Sequence, residues 1–370
     1  MEISKPTKKT SLMIALVMLV FFIISFITNI LNSIASDVRN SFDLSLTLTG
    51  LLPFAFFIAY GVMSIPAGIL LEKYKEKRVL VFSFVLMSAS SACFVVIPIY
   101  QVFIVTLFAL GCSMAILQVV INPLLRSAGG EENFAFNSVL VQLVFGLASF
   151  LSPYLFQYLV RPQNGDIWLV SIFPAEMPWA SLYLIFAAVA LLMAVIVFLI
   201  KYPKVELKED EKSGTISTYV SLLGNKVVIL YFIGIFCYVG AEQGIGNWIS
   251  QFLLEYHGQD PQIVGASVVS YFWGMLTIGC FAGLLLLKLM DSRKVLAVFS
   301  ALTIVALFTA LFGSLEVAKI AFPLIGFFIS VMWSVIFSLG MNSMSDHHGS
   351  VSGILCSGIA GGAIVPLIVG

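Results

Sequence analysis

Charge is scarce in this chain. Of 370 residues, 10% are charged and 60% are hydrophobic, whereas water-soluble chains carry about 25% charged residues. No soluble core hides that much apolar surface, so soluble folds are excluded, and so are domain counts scaled from soluble chain lengths. Histidine is scarcer still, with three residues. His257, His347 and His348 fall between apolar runs, and the adjacent pair shares no helix face, so no metal site is expected. Five cysteines, Cys93, Cys112, Cys237, Cys280 and Cys356, are scattered inside apolar stretches without ligand spacing. They read as small buried hydrophobes. No nucleophile–base set or phosphate loop is found, so neither an enzyme, a cofactor nor a nucleic-acid partner is expected. A cleavable leader is not expected either: "SIAS" at 33–36 follows an apolar run too long for one.

Long apolar runs are what the chain has. Stretches near 12–36, 48–71, 79–97, 101–125, 134–160, 180–200, 227–254, 264–287, 295–313, 320–343 and 350–370 each match the roughly 20 residues needed to cross a bilayer. Their unbroken apolarity points to eleven helices rather than a membrane barrel. With the amino terminus in the cytoplasm, sixteen Lys and Arg lie inside and only Arg39, Arg161 and Lys319 outside, a decisive positive-inside bias. The polar stretch "KYPKVELKEDEKSGTISTY" at 201–219 reads as a solvated linker. It sets the expected division: a six-helix bundle over 1–200, a cytoplasmic linker over 201–226 and a second bundle over 227–370. The halves also repeat. "AGILLEKYKEKRVL" from Ala67 and "AGLLLLKLMDSRKVL" from Ala282 place Arg78 and Arg293 at the same offset, as a duplicated six-helix unit would. The second half holds five spans, and the end at "GGAIVPLIVG" reads as a chain lacking its twelfth.

Motifs in these runs resemble the major facilitator superfamily. "GILLEKYKEKR" at 68–78 is similar to the superfamily's signature between its second and third spans, G-x-x-x-D-R/K-x-G-x-R/K-R/K. Gly68 opens it, Glu72 stands for the acid, Lys73 for the base, Lys77 and Arg78 for the closing pair, and Lys75 replaces the second glycine. "PAGILL", "LQVVINPL", "CYVGAE", "KVLA", "FSLGMNSM" and "SGIAGGAIVP", spread from 66 to 366, resemble the fucose–proton and glucose/galactose symporter family more closely. The resemblance implies a fold of two six-helix bundles related by a pseudo-two-fold axis. It also implies a monosaccharide substrate and coupling to a proton or sodium ion. Two acids of the fucose permease align with Asn32 and Gln118, neither of which exchanges a proton. Asn29 and Gln142 match its polar cavity residues, and "QVVINP" and "CYVGAE" look like the glucose/galactose branch. Gln118 is therefore expected to bind substrate.

The polar residues inside the spans support the same expectation on physical grounds. Glu242 is the one acidic residue in the interior of any span. A charge at the bilayer centre costs about 2.5–3.5 kcal/mol on insertion scales and usually faces a cavity. Ser25, Asn29, Asn32 and Ser36 share one helix face, as do Gln118 with Asn122 and Ser138 with Gln142. Interhelical hydrogen bonding, worth about 0.6 kcal/mol per bond, explains any one stripe. Three stripes with Glu242 point to a polar cavity whose amides offer both donors and acceptors to hydroxyls. Trp273 and Trp333 fall near mid-span, where a ring could carry a sugar's C–H face, while Trp248 lies nearer the outer interface. Pro123 and Pro366 mark spans able to bend. The expectation is a monomeric, bilayer-embedded symporter of the bacterial inner membrane. It imports a hexose such as glucose, galactose or fucose on Asn29, Asn32, Gln118, Asn122, Gln142, Trp273 and Trp333, with Glu242 coupling the cation. Two rivals stand beside it. A drug–proton antiporter would carry G-P-x-x-G-G where this chain has "GLASFLSPYL" at 146–155, and a non-transporting sugar sensor would share the fold.

Overall fold

The computed structural model describes residues 8–129, 134–160, 168–174, 176–200 and 216–369. The first half comprises α1 (Lys8–Ser41), α2 (Leu46–Val96), α3 (Tyr100–Gly129), α4 (Phe134–Val160), the short α5 (Trp168–Ser171) and α6 (Ser181–Leu199). The second half opens with α7 (Ile216–Leu223), then α8 (Lys226–His257), α9 (Ala266–Leu289) and α10 (Ser292–Phe312). It closes with α11 (Leu315–Ile329), α12 (Met332–Asn342), α13 (His348–Ser357) and α14 (Gly361–Val369). Among the described residues there is no strand, and eleven stretches are long and apolar enough to span a bilayer. Their outward faces are apolar where a soluble protein would be polar: α10 alone exposes Val298, Ile304, Val305 and Phe308. In a bilayer those side chains meet lipid.

The packing repeats between the halves. α1 lies against α4 and α2 against α3; correspondingly α8 lies against α14 and α9 against α11. The halves meet along two seams, α4 with α9 and α2 with α13 and α14. Span by span, each pairing recurs six spans later, as a pseudo-two-fold axis requires. Glycines mark the equivalent crossings. Gly111 on α3 and Gly326 on α11 stand the same distance apart in sequence as Arg78 and Arg293. A Cβ on Gly111 would collide with the Phe56 carbonyl of α2, and one on Gly326 with the Phe272 carbonyl of α9. Small residues let membrane helices approach this closely. Gly326→Leu is therefore expected to lower stability by about 1–3 kcal/mol through overpacking. A thermal unfolding midpoint in detergent unchanged from wild type would contradict that crossing.

Backbone detail that the hydropathy pattern does not show lies at three places. The second and third spans, Leu48–Leu71 and Lys73–Val96, are two helices within α2 that meet at a kink at Lys75, whose φ of 65° and ψ of 161° lie in backbone space favourable only to glycine. This gives a physical reason for the glycine that the signature carries there. Strain of this kind costs about 1–3 kcal/mol, so Lys75→Gly is expected to raise the unfolding midpoint; a lowered midpoint would contradict the strain. In the second copy the same turn is made at Met290 without positive φ, and the Asp291 side chain caps α10 by accepting from the Arg293 N–H at 2.9 Å. The tenth span is broken between α11 and α12 at Ser330–Val331. The eleventh breaks at Gly358–Ala360, a 3-10 turn several residues before Pro366.

The expected linker falls partly outside the described residues, at 201–215. Its end is the helix α7, which buries Tyr219 and Leu222 against the second half. Two other expectations are corrected. Cys93 and Cys237 are exposed on their helices, while Cys112, Cys280 and Cys356 are buried. His348 is not a loop residue: it opens α13 at 1% exposure.

Candidate functional site

Two cavities that share lining residues lie between the halves. The larger, about 400 Å³, opens at the end opposite Lys73–Arg78 and is lined by the start of α2, the C-terminal half of α8 and the end of α14. Its volume suits a small molecule. At its floor, sharing Thr28 and Phe57, is a pocket of about 60 Å³ near mid-span. This pocket brings Gln118 of α3 and Gln142 of α4 to face Tyr238, Glu242 and Gln243 of α8 and Trp333 of α12. Both broken spans contribute, Trp333 just after the Ser330–Val331 break and Ile359 from the 3-10 turn.

Within the pocket, the Tyr238 hydroxyl donates to Glu242 Oε1 at 3.0 Å. One helical turn separates the two, which places them on the same face. Glu242 is 8% exposed, and among the described lining residues it is the only carboxylate. The amide oxygens of Gln118 and Gln243 are buried and have no hydrogen-bond partner among the described residues. Buried polar atoms are normally satisfied. Two such acceptors, one from each half, belong to residues that border this pocket.

The other expected residues are placed differently. Asn29 is buried in the packing of α1 on α4: its Nδ2 donates to the Ser25 carbonyl at 2.9 Å and to Ser149 Oγ at 2.7 Å. Asn122 donates to Cys356 Sγ at 3.6 Å across the halves. Trp273 packs beside Gly246 and Phe272. None of these three lines either cavity. The side chains of Asn32 and Glu72 lie outside the described residues. Trp248, expected at the interface with lipid headgroups, lines the larger cavity and donates from Nε1 to the Pro366 carbonyl at 3.0 Å. Pro366 thereby ties α14 to α8, and Pro123 lies inside α3 without breaking it. Gly68 is buried. Sequence reasoning missed Gln243, Tyr238, Tyr60 and Thr28. The signal for Tyr238 was its position four residues before Glu242; Gln243, Tyr60 and Thr28 gave none.

The opposite end is closed. Arg126 Nε, at the end of α3, donates to Asn342 Oδ1 of α12 at 3.1 Å. Its Nη1 lies 3.4 Å from His348 Nδ1. His348 Nε2 sits 2.9 Å from the Met344 carbonyl, so Nε2 carries the proton and Nδ1 accepts.

A multi-pass helical protein with a polar pocket at the seam of two repeated halves defines the class. The chain belongs to the Major Facilitator Superfamily, whose family model matches residues 17–366, and to its fucose–proton and glucose/galactose branch. It is 33% identical over 368 residues to a glucose/galactose transporter of Brucella abortus biovar 1 (strain 9-941), covering 95% of this chain and 85% of that one. It is 26% identical over 380 residues to the L-fucose-proton symporter of Escherichia coli (strain K12), covering 96% and 85% respectively. In fold it is similar to the crystal structure of FucP in the outward conformation, with a TM-score of 0.83 and 23% identity. That match covers 98% of this chain and 92% of the other.

Proposed function

We propose that this chain imports a monosaccharide, a hexose such as glucose, galactose or fucose, by proton symport with alternating access. The observation that carries the reading is the pair of unpartnered amide oxygens, Gln118 from one half and Gln243 from the other, beside Glu242. A sugar supplies the missing donors through its hydroxyls, and the Trp333 ring accepts its C–H face. Only a ligand bridging both halves senses their relative movement. Glu242 carries the proton, with Tyr238 as its hydrogen-bond partner. The names of the two relatives support the substrate class, and that of the L-fucose-proton symporter supports the coupling ion.

In this reading residues 1–200 and 227–370 rock about the pocket while 201–226 connects them on the cytoplasmic side. The protein works as a monomer in the bacterial inner membrane with its amino terminus in the cytoplasm, the orientation the distribution of Lys and Arg favours. The large cavity then faces outward, and Arg126, Asn342 and His348 form the inner closure. The test is uptake of radiolabelled hexose into vesicles under proton and sodium gradients imposed separately. Accumulation under the proton gradient supports the reading. Sugar binding without uptake under either gradient identifies a sensor instead.

A further inference from the structure

The basic turn in the middle of α2, away from the pocket, carries a second feature. Two surface grooves of about 390 and 500 Å³ run on either side of a ridge formed by Arg78 and Phe82, which line both. One continues past Leu70, Tyr74 and Val79, the other past Val81, Val85 and Phe198 of α6. Tyr74, Phe82, Val85 and Phe198 are exposed apolar side chains. At the polar end of this apolar surface stand two cations. Lys77 is held in place: its Nζ donates to the Ile200 carbonyl at 3.0 Å and lies 5.7 Å from the centre of the Phe198 ring. Two of its three N–H donors remain. Arg78 is exposed, and no hydrogen bond or ion pair engages it among the described residues. Lys73 and Lys75 are exposed alongside, against the acids Glu72 and Glu76, so the segment is net basic.

We propose that this is a binding site for one anionic phospholipid. Arg78 and Lys77 take the phosphate, and the two acyl chains lie in the grooves flanking Phe82. Charge complementarity selects the occupant: unpaired cations at the end of a bilayer-facing apolar surface attract anionic headgroups, and an arginine fork suits phosphate oxygens. The divided groove fits a two-chain lipid better than a detergent or a single-chain amphiphile.

The test is native mass spectrometry of the full chain released from detergent with phosphatidylglycerol or phosphatidylcholine of identical acyl chains. Wild type is expected to retain phosphatidylglycerol roughly tenfold better. Lys77→Gln with Arg78→Gln should erase the preference, and Arg78→Gln alone, at an exposed position that tolerates it, should reduce it. Phe82→Ser should weaken retention of both lipids. Glycerol 3-phosphate should not displace the lipid. Equal retention of the two lipids by wild type, or a preference unchanged in both glutamine variants, overturns the proposal. Full displacement by glycerol 3-phosphate overturns it too, in favour of a site for free phosphate.

Discussion

Vesicles carrying Glu242→Gln are expected to accumulate no sugar against its gradient, while exchange of labelled for unlabelled sugar continues. Glutamine keeps the length and shape of the side chain, and its Oε1 still accepts from the Tyr238 hydroxyl that lies 3.0 Å from Glu242 Oε1. Only the exchangeable proton is lost. Among the described residues lining the pocket no other carboxylate can replace it. The accumulation ratio should fall to about one because sugar movement is no longer tied to a charge, and alternating access itself survives. Accumulation at the wild-type level would remove Glu242 from coupling and leave it as a hydrogen-bonded packing residue.

The second large effect concerns Gln118 and Gln243. Each offers a buried amide oxygen with no partner. Replacement by leucine, similar in volume, should weaken sugar affinity roughly tenfold per lost hydrogen bond, about 1.4 kcal/mol. Gln243→Leu also removes an amide that hydrogen-bonds Glu242, whereas Gln118→Leu should leave unfolding stability unchanged or raised, because an unsatisfied buried acceptor is removed. Asn29→Leu should do the reverse. Its amide is engaged by the Ser25 carbonyl and Ser149, so its loss strands buried groups and lowers stability. The contrast between the three variants separates binding from packing, through equilibrium sugar binding and thermal unfolding measured on the same preparations. Tight binding retained in both Gln118→Leu and Gln243→Leu would move the substrate elsewhere in the cavity.

The spans were legible because the bilayer demands long apolar helices, and helix ends fall close to where hydropathy changes. The repeat was legible from Ala67 and Ala282, and Gly111 and Gly326 extend it to the packing of the spans. The helix breaks were not. Ser330–Val331 and Gly358–Ala360 lie where α12, α13 and α14 pack on α8 and α2, and nothing in local composition distinguishes them from other small-residue runs. The strain at Lys75 was also hidden, since only the backbone reveals that a lysine occupies glycine's conformation. Periodicity identified polar stripes but not their partners. Gln118 and Gln142 face the pocket, while Asn29, on an equally regular stripe, turns to α4. Gln243 escaped notice because it lies beside Glu242 in sequence, and a single helix wheel does not show that both border the pocket.

The most direct test of the account is proton movement accompanying sugar entry. Hexose is added to a lightly buffered suspension of right-side-out vesicles, and external pH is followed. The account predicts alkalinisation on hexose addition with the wild-type protein and none with Glu242→Gln. Hexose entry that leaves external pH unchanged, and that requires sodium instead, would contradict it.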